Sequence, residues 1–160
     1  MGIPWALLGL SLILHVVVGI FLSVFSPPYW VWPLAFGGTL IQSVFLAGPR
    51  ALSSFRGFRI LLVRALTCLG VGLSVVALAI AVGFGGTNDI DSIRIPDTGI
   101  ELLAVNFGVL LLTATCSLLI ANIGDRMLSE MGRTRGSLVI LSFCFLGLFI
   151  GGALGVAIAS

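Results

Sequence analysis

The sequence predicts an all-α, polytopic integral membrane protein with five transmembrane helices. Hydrophobic residues make up 59% of the 160-residue chain and charged residues only 9%, whereas soluble domains carry roughly 25% charged residues. The mean hydropathy is +1.24. The charges fall in short segments between apolar runs long enough to cross a bilayer as helices. We therefore expect residues 1–160 to form a single membrane domain with lipid as its solvent.

The apolar runs place the five spans at residues 5–25, 31–48, 60–84, 101–122 and 137–159. The first helix and its turn occupy residues 1–30, a first helical hairpin residues 31–84, and a second hairpin residues 101–160. The second span is the shortest. Pro33 in its first turn and the pair Gly37 and Gly38 allow it to tilt, kink or form a re-entrant segment. A full crossing and a re-entrant segment both remain open.

Two basic segments set the expected orientation. The pattern Gly-x-Arg-x-Leu-Ser begins at Gly48 and again at Gly124, and each copy is followed by a further arginine. Short loops rich in arginine stay in the cytoplasm. The sequence therefore predicts a cytoplasmic N-terminus and two cytoplasmic loops, which hold the motif arginines Arg50, Arg59, Arg126 and Arg135.

The shared loop pattern has two interpretations. One is a tandem duplication of the hairpin, which makes the two hairpins a parallel repeat. The other is that two cytoplasmic turns resemble each other because both must turn and both must be basic. The sequence leaves both open.

The last span carries small residues at every fourth position, Gly147, Gly151 and Gly155. Residues four apart share one helix face, and glycine there lets a neighbouring backbone approach closely. The pattern predicts a helix-packing face. It is compatible with packing inside the chain and with a subunit interface, and the motif alone does not choose between them.

Four of the polar residues inside the predicted spans are candidates for a specific role. Arg64 lies near a helix end, so its side chain can extend to the headgroups, or it can pair with a carboxylate or a lipid phosphate. Gln42 and Asn106 are expected to form interhelical hydrogen bonds. His15, the only histidine, is expected to stay neutral and to bond a serine, threonine or carbonyl. A weaker alternative makes it a cofactor ligand for a haem or a pigment metal.

The residue types favour a non-enzymatic protein. No span holds paired carboxylates or a nucleophile beside a base, and the three cysteines are isolated in apolar runs. We therefore expect no catalytic residue, no metal site and no bound cofactor. A net charge of +2 is too small to indicate a nucleic-acid partner.

The partners expected from this composition are the lipid bilayer and either other membrane protein subunits or further copies of the chain. The first hypothesis is an accessory or assembly subunit of a larger membrane complex. The alternative is a small homo-oligomeric transporter or channel, in which polar residues such as Gln42 and Asn106 face a shared pathway. The expected location is a bacterial inner membrane or an equivalent organellar membrane such as the thylakoid.

Overall fold

The computed structural model describes residues 3–24, 29–45, 56–84 and 99–160, without the side chains of residues 83–84 and 99–103. Within these ranges the chain forms five helices: α1 (Trp5–Val24), α2 (Val31–Phe45), α3 (Phe58–Phe84), α4 (Gly99–Met131) and α5 (Arg133–Ala159). By length and composition α1, α3, α4 and α5 can each cross a membrane, which indicates a membrane protein.

The second helix is short and unbroken. Its 15 described residues span about 22 Å, less than the roughly 30 Å of a hydrocarbon core. Pro33 occupies the first turn, where a helix does not need its N–H. The helix continues through Gly37 and Gly38 without interruption. Residues 46–48, the expected end of this span, lie outside the described residues.

The fourth helix is longer than predicted. Its expected end near residue 122 was wrong, because α4 continues to Met131 and contains 33 residues. Arginine, methionine, leucine and glutamate in the added segment favour helix. Ile123 and Met127 are also fully buried there in a cluster with Leu8 and Ile140. The helix ends at Gly132, whose φ of 80° favours glycine.

Helix contacts define the directions within the bundle. Gly147 of α5 packs against His15 of α1, and Gly155 packs against Ser23, so α1 and α5 run parallel. Gly38 of α2 meets Ser74 of α3, while Gly70 of α3 meets residues 41 and 42 of α2, which makes this pair antiparallel. Ser43 and Val44, near the end of α2, line one cavity with Gly132 between α4 and α5. The start of α3, with Arg56 and Arg59, and the α4–α5 turn therefore lie at one end of the bundle, here named the arginine end.

The interior has three layers along the bundle axis. An apolar cluster that includes Leu22, Val31 and Leu148 fills the end away from the arginines. A second cluster, which includes Leu8 and Met127, fills the arginine end. Between them lies a layer of buried polar residues, His15, Thr39, Gln42 and Thr113.

Candidate functional site

The closest helix packing joins α1 to α5. A Cβ atom added at Gly147 would lie 2.6 Å from the carbonyl oxygen of Leu12, and one added at Gly19 would lie 2.9 Å from the Cα of Gly151. Such distances leave no room for a side chain, so the two backbones touch. The glycines predicted to form a packing face, Gly147, Gly151 and Gly155, are thus buried against the chain's own first helix.

The partner face on α1 was missed by the sequence analysis. It consists of buried residues at every fourth position, Ser11, His15, Gly19 and Ser23. The same spacing rule that identified the glycines of α5 identifies this row. Two of its serines also bond across the interface. The Ser23 hydroxyl donates to the carbonyl oxygen of Gly152 at 2.9 Å, and Ser11 Oγ lies 3.4 Å from the Sγ of Cys144.

Gln42 is the centre of a hydrogen-bond network that links α2, α3 and α4. Its Nε2 donates to the carbonyl oxygen of Gly70 at 3.2 Å and to Ser74 Oγ at 2.8 Å. The Ser117 hydroxyl lies 3.1 Å from Gln42 Oε1 and 2.8 Å from the carbonyl oxygen of Thr113, so it shares its proton between them. The sequence indicated Gln42 as an interhelical partner, and the structure supplies the serines that it bonds.

His15 lies in the same layer and is 3% exposed. Its Nδ1 is 2.8 Å from the carbonyl oxygen of Ser11. A carbonyl only accepts hydrogen bonds, so Nδ1 carries the proton, and in the neutral ring Nε2 is an acceptor. The ring lines a cavity of about 20 Å³, shared with Thr39, Gln42 and Thr113. That volume suits one small molecule and is far below the size of a tetrapyrrole.

Arg64 and Asn106 do not join this network. Both side chains are exposed on the outside of the bundle, and neither has a hydrogen-bond or ion-pair partner among the described residues. Leu78 of α3 and Val109 of α4 line the same apolar cavity. The two helices run in opposite directions, because α3 begins and α4 ends at the arginine end. Because both helices rise about 1.5 Å per residue, Arg64 is level with α4 near residue 123. It therefore lies towards the arginine end, where a long side chain reaches the headgroups.

The arginine motif is placed differently from the prediction. Arg126 lies within α4 and Arg135 within α5, so these two residues are helical and not in a loop. The reason is the continuation of α4 to Met131, which reduces the turn to Gly132. Arg59 lies in the first turn of α3, at the same end of the bundle. Arg50 lies outside the described residues.

A wide apolar groove opens at the other end of the bundle, between α1, α2 and α5. Its volume is about 870 Å³, and its lining includes Tyr29, Trp32, Phe36 and Phe149. The ring centroids of Phe36 and Phe149 are 5.0 Å apart, a distance typical of packed aromatic pairs. No charged side chain lines the groove among the described residues, so its surface offers mainly apolar contact.

The described residues contain no group of three histidine, cysteine or carboxylate side chains that is able to hold a metal ion. Cys116 and Cys144 are buried and Cys68 is exposed. The arrangement therefore provides close helix packing and internal hydrogen bonding. Comparisons of this chain with protein-family models, with curated proteins and with solved structures each found no match.

Proposed function

We propose that this chain is a non-enzymatic, multi-pass membrane protein that acts as an accessory or assembly subunit and packs against other membrane proteins. The proposed location is a bacterial inner membrane or an equivalent organellar membrane. The arginines gathered at one end of the bundle support a cytoplasmic orientation of that end. The main support for a partner comes from the outward surface of α4.

That surface carries a row of exposed residues spaced alternately four and three apart. We name this row the α4 seam, and its members are Ala104, Gly108, Leu111, Thr115, Leu118 and Asn122. Alternating steps of four and three keep residues on one face of a helix that supercoils with another helix. A Cβ added at Gly108 would meet nothing within 4 Å, so a neighbouring helix has room to approach there.

The observation that carries the proposal is the exposed row itself, which combines coiled-coil spacing and an open glycine with a polar residue, Asn122. Its side chain is exposed and has no hydrogen-bond partner among the described residues, in contrast to Gln42, which is fully bonded inside the bundle. An amide that faces lipid without a partner is costly. A hydrogen bond to a partner helix is worth about 0.6 to 2 kcal/mol in a membrane. Protein contact at the α4 seam therefore gives Asn122 a hydrogen-bond partner that the chain itself does not supply.

The transporter or channel alternative receives partial support. Thr39, Gln42 and Thr113 gather in one layer, as a polar pathway requires. Their hydrogen bonds, however, run to other groups of the chain, and the cavity between them is only about 20 Å³. Asn106 points away from that layer. A closed and internally bonded layer favours a packing role over a pathway within one chain.

The test is the mass of the full-length chain extracted from its native membrane in lipid nanodiscs. We expect a hetero-complex of fixed stoichiometry. The double variant Leu118→Ala with Asn122→Val should lose the partner. The matched control, Leu110→Ala with Asn106→Val, makes the same changes on a different side of α4 and should keep it.

Three outcomes contradict the proposal. A wild-type chain recovered as a monomer removes the partner. A homo-oligomer that conducts ions or solutes after reconstitution favours the alternative. Equal loss of the complex in both double variants shows that the α4 seam has no special role.

A further inference from the structure

We propose that the cavity beside His15 is a binding site for a single water molecule that joins α1, α2 and α4 at the centre of the bundle. The cavity lies in the polar layer and is lined by His15, Thr39, Gln42, Ser74, Thr113 and Cys116. Its volume is about 20 Å³. A polar cavity holds a water once this volume exceeds roughly 10 to 15 Å³ and two to four polar partners are present.

The strong donors around the cavity are already used. The Thr39 hydroxyl donates to the carbonyl oxygen of Ala35 at 2.9 Å, and the Thr113 hydroxyl donates to that of Val109 at 2.8 Å. The Ser74 hydroxyl donates to the carbonyl oxygen of Gly70, four residues earlier on α3, at 3.2 Å. Both N–H groups of the Gln42 amide are engaged with α3.

What remains around the cavity are acceptors. Nδ1 of His15 donates to a carbonyl, which leaves Nε2 with a lone pair. The hydroxyl oxygens of Thr39 and Thr113 keep lone pairs after donating their protons. A molecule at this site must therefore supply protons. Water supplies two protons, which it can share among His15 Nε2 and the two threonine oxygens, and the weak S–H donor of Cys116 lies on the same wall.

The occupant is neutral. No charged side chain lines the cavity among the described residues, and the described acids, Asp125 and Glu130, lie in the last turns of α4 at the arginine end. A cation in the middle of the bundle without a counter-charge carries a large desolvation cost. The same argument keeps His15 in its neutral form. Water is the small neutral donor that fits both the volume and the bonding pattern.

The test uses the fact that His15 is the only histidine. The full chain is labelled with ¹⁵N-histidine, reconstituted in lipid bilayers, and studied by solid-state NMR at neutral pH. We expect a neutral ring protonated at Nδ1 and a transfer of magnetisation from water to this ring. Thr113→Val removes one of the three acceptors with little change of shape, so the water is held less firmly and the transfer should fall.

Thr67→Val is the matched control. Thr67 makes the same bond to a carbonyl four residues earlier on α3, at 2.8 Å, but its side chain does not line the cavity. This variant should leave the water signal unchanged. Thr39→Val repeats the cavity test from α2, so the outcome does not depend on the folding of one variant.

Absence of water transfer in the wild type overturns the proposal. So does a doubly protonated ring at neutral pH, which places a proton where the water should be. Equal loss in Thr67→Val and Thr113→Val shows a general effect of lost hydroxyls and also counts against it.

Discussion

Replacing Gly151 by alanine tests the contact between α1 and α5 most directly. A Cβ at this position would collide with the carbonyl oxygen of Val16 and lie 2.9 Å from the Cα of Gly19. Both atoms belong to the backbone of α1, so neither moves aside by a change of rotamer. The two helices must separate, and the contacts at Gly147 and Gly155 loosen with them.

The free-energy change has two opposing parts. Overpacking of a well-filled interior costs about 1 to 3 kcal/mol, and a collision with backbone belongs at the upper end of that range. Alanine in place of glycine favours the helix by about 1 kcal/mol. We therefore expect Gly151→Ala to lower the free energy of unfolding by about 2 kcal/mol.

Gly72→Ala is a control for which we expect the free energy of unfolding to change in the opposite direction. This residue is exposed on α3, and a Cβ there would meet nothing within 4 Å. Gly72→Ala keeps the gain in helix preference without the collision, so we expect stabilisation of about 0.5 to 1 kcal/mol. Reversible unfolding in mixed micelles, followed by circular dichroism, measures both variants. The reasoning is refuted if Gly151→Ala is as stable as the wild type, or if Gly72→Ala is destabilised to the same extent.

Three further predictions concern the interior, the cysteines and the ends of the bundle. Gln42→Leu removes hydrogen bonds to α3 and α4 and should lower the free energy of unfolding by about 1 to 2 kcal/mol; an unchanged unfolding curve contradicts the network. An apolar maleimide should label Cys68 alone, because the other two cysteines are buried, and labelling that persists in Cys68→Ala contradicts that burial. In a Cys68→Ala background, cysteines placed at Arg56 and Thr134 should react from one side of the membrane and a cysteine at Tyr29 from the other. Opposite-side labelling of the first two contradicts the bundle directions.

The parallel contact between α1 and α5 changes how the two hairpins are viewed. Under the duplication hypothesis, the first helix is an extra element outside two similar hairpins. In the structure, the last helix makes its closest contact with that first helix. When the two arginine patterns are aligned, with Gly48 on Gly124, the positions equivalent to Gly38 and Gly70 are Ala114 and Leu146. The close glycine contact of the first hairpin is therefore not repeated in the second. Whatever the origin of the shared arginine pattern, the two hairpins pack in different ways.

The boundaries of α4 show where local sequence signals fail. Gly124 and the charged residues after it are typical of a loop outside the membrane, and a turn was predicted there. Burial of Ile123 and Met127 against α1 and α5 stabilises two more helical turns beyond that point. This packing depends on residues more than one hundred positions away, such as Leu8, so it is not visible in the segment itself.

Part of this protein is determined by the sequence alone. The number and approximate place of the helices follow from apolar runs of bilayer length, because the cost of unpaired backbone groups in lipid acts on each segment separately. The shared Gly-x-Arg-x-Leu-Ser pattern of the two basic segments is also visible in the sequence without the structure.

The tertiary structure decided the rest. It selected α1 as the partner of the glycine row on α5, brought Gln42 to its serines, and placed Arg64 and Asn106 on the outside. The physical reason is that such choices depend on which helix faces meet. A face is chosen by the combined shape and hydrogen bonding of all five helices, and no single helix contains that information.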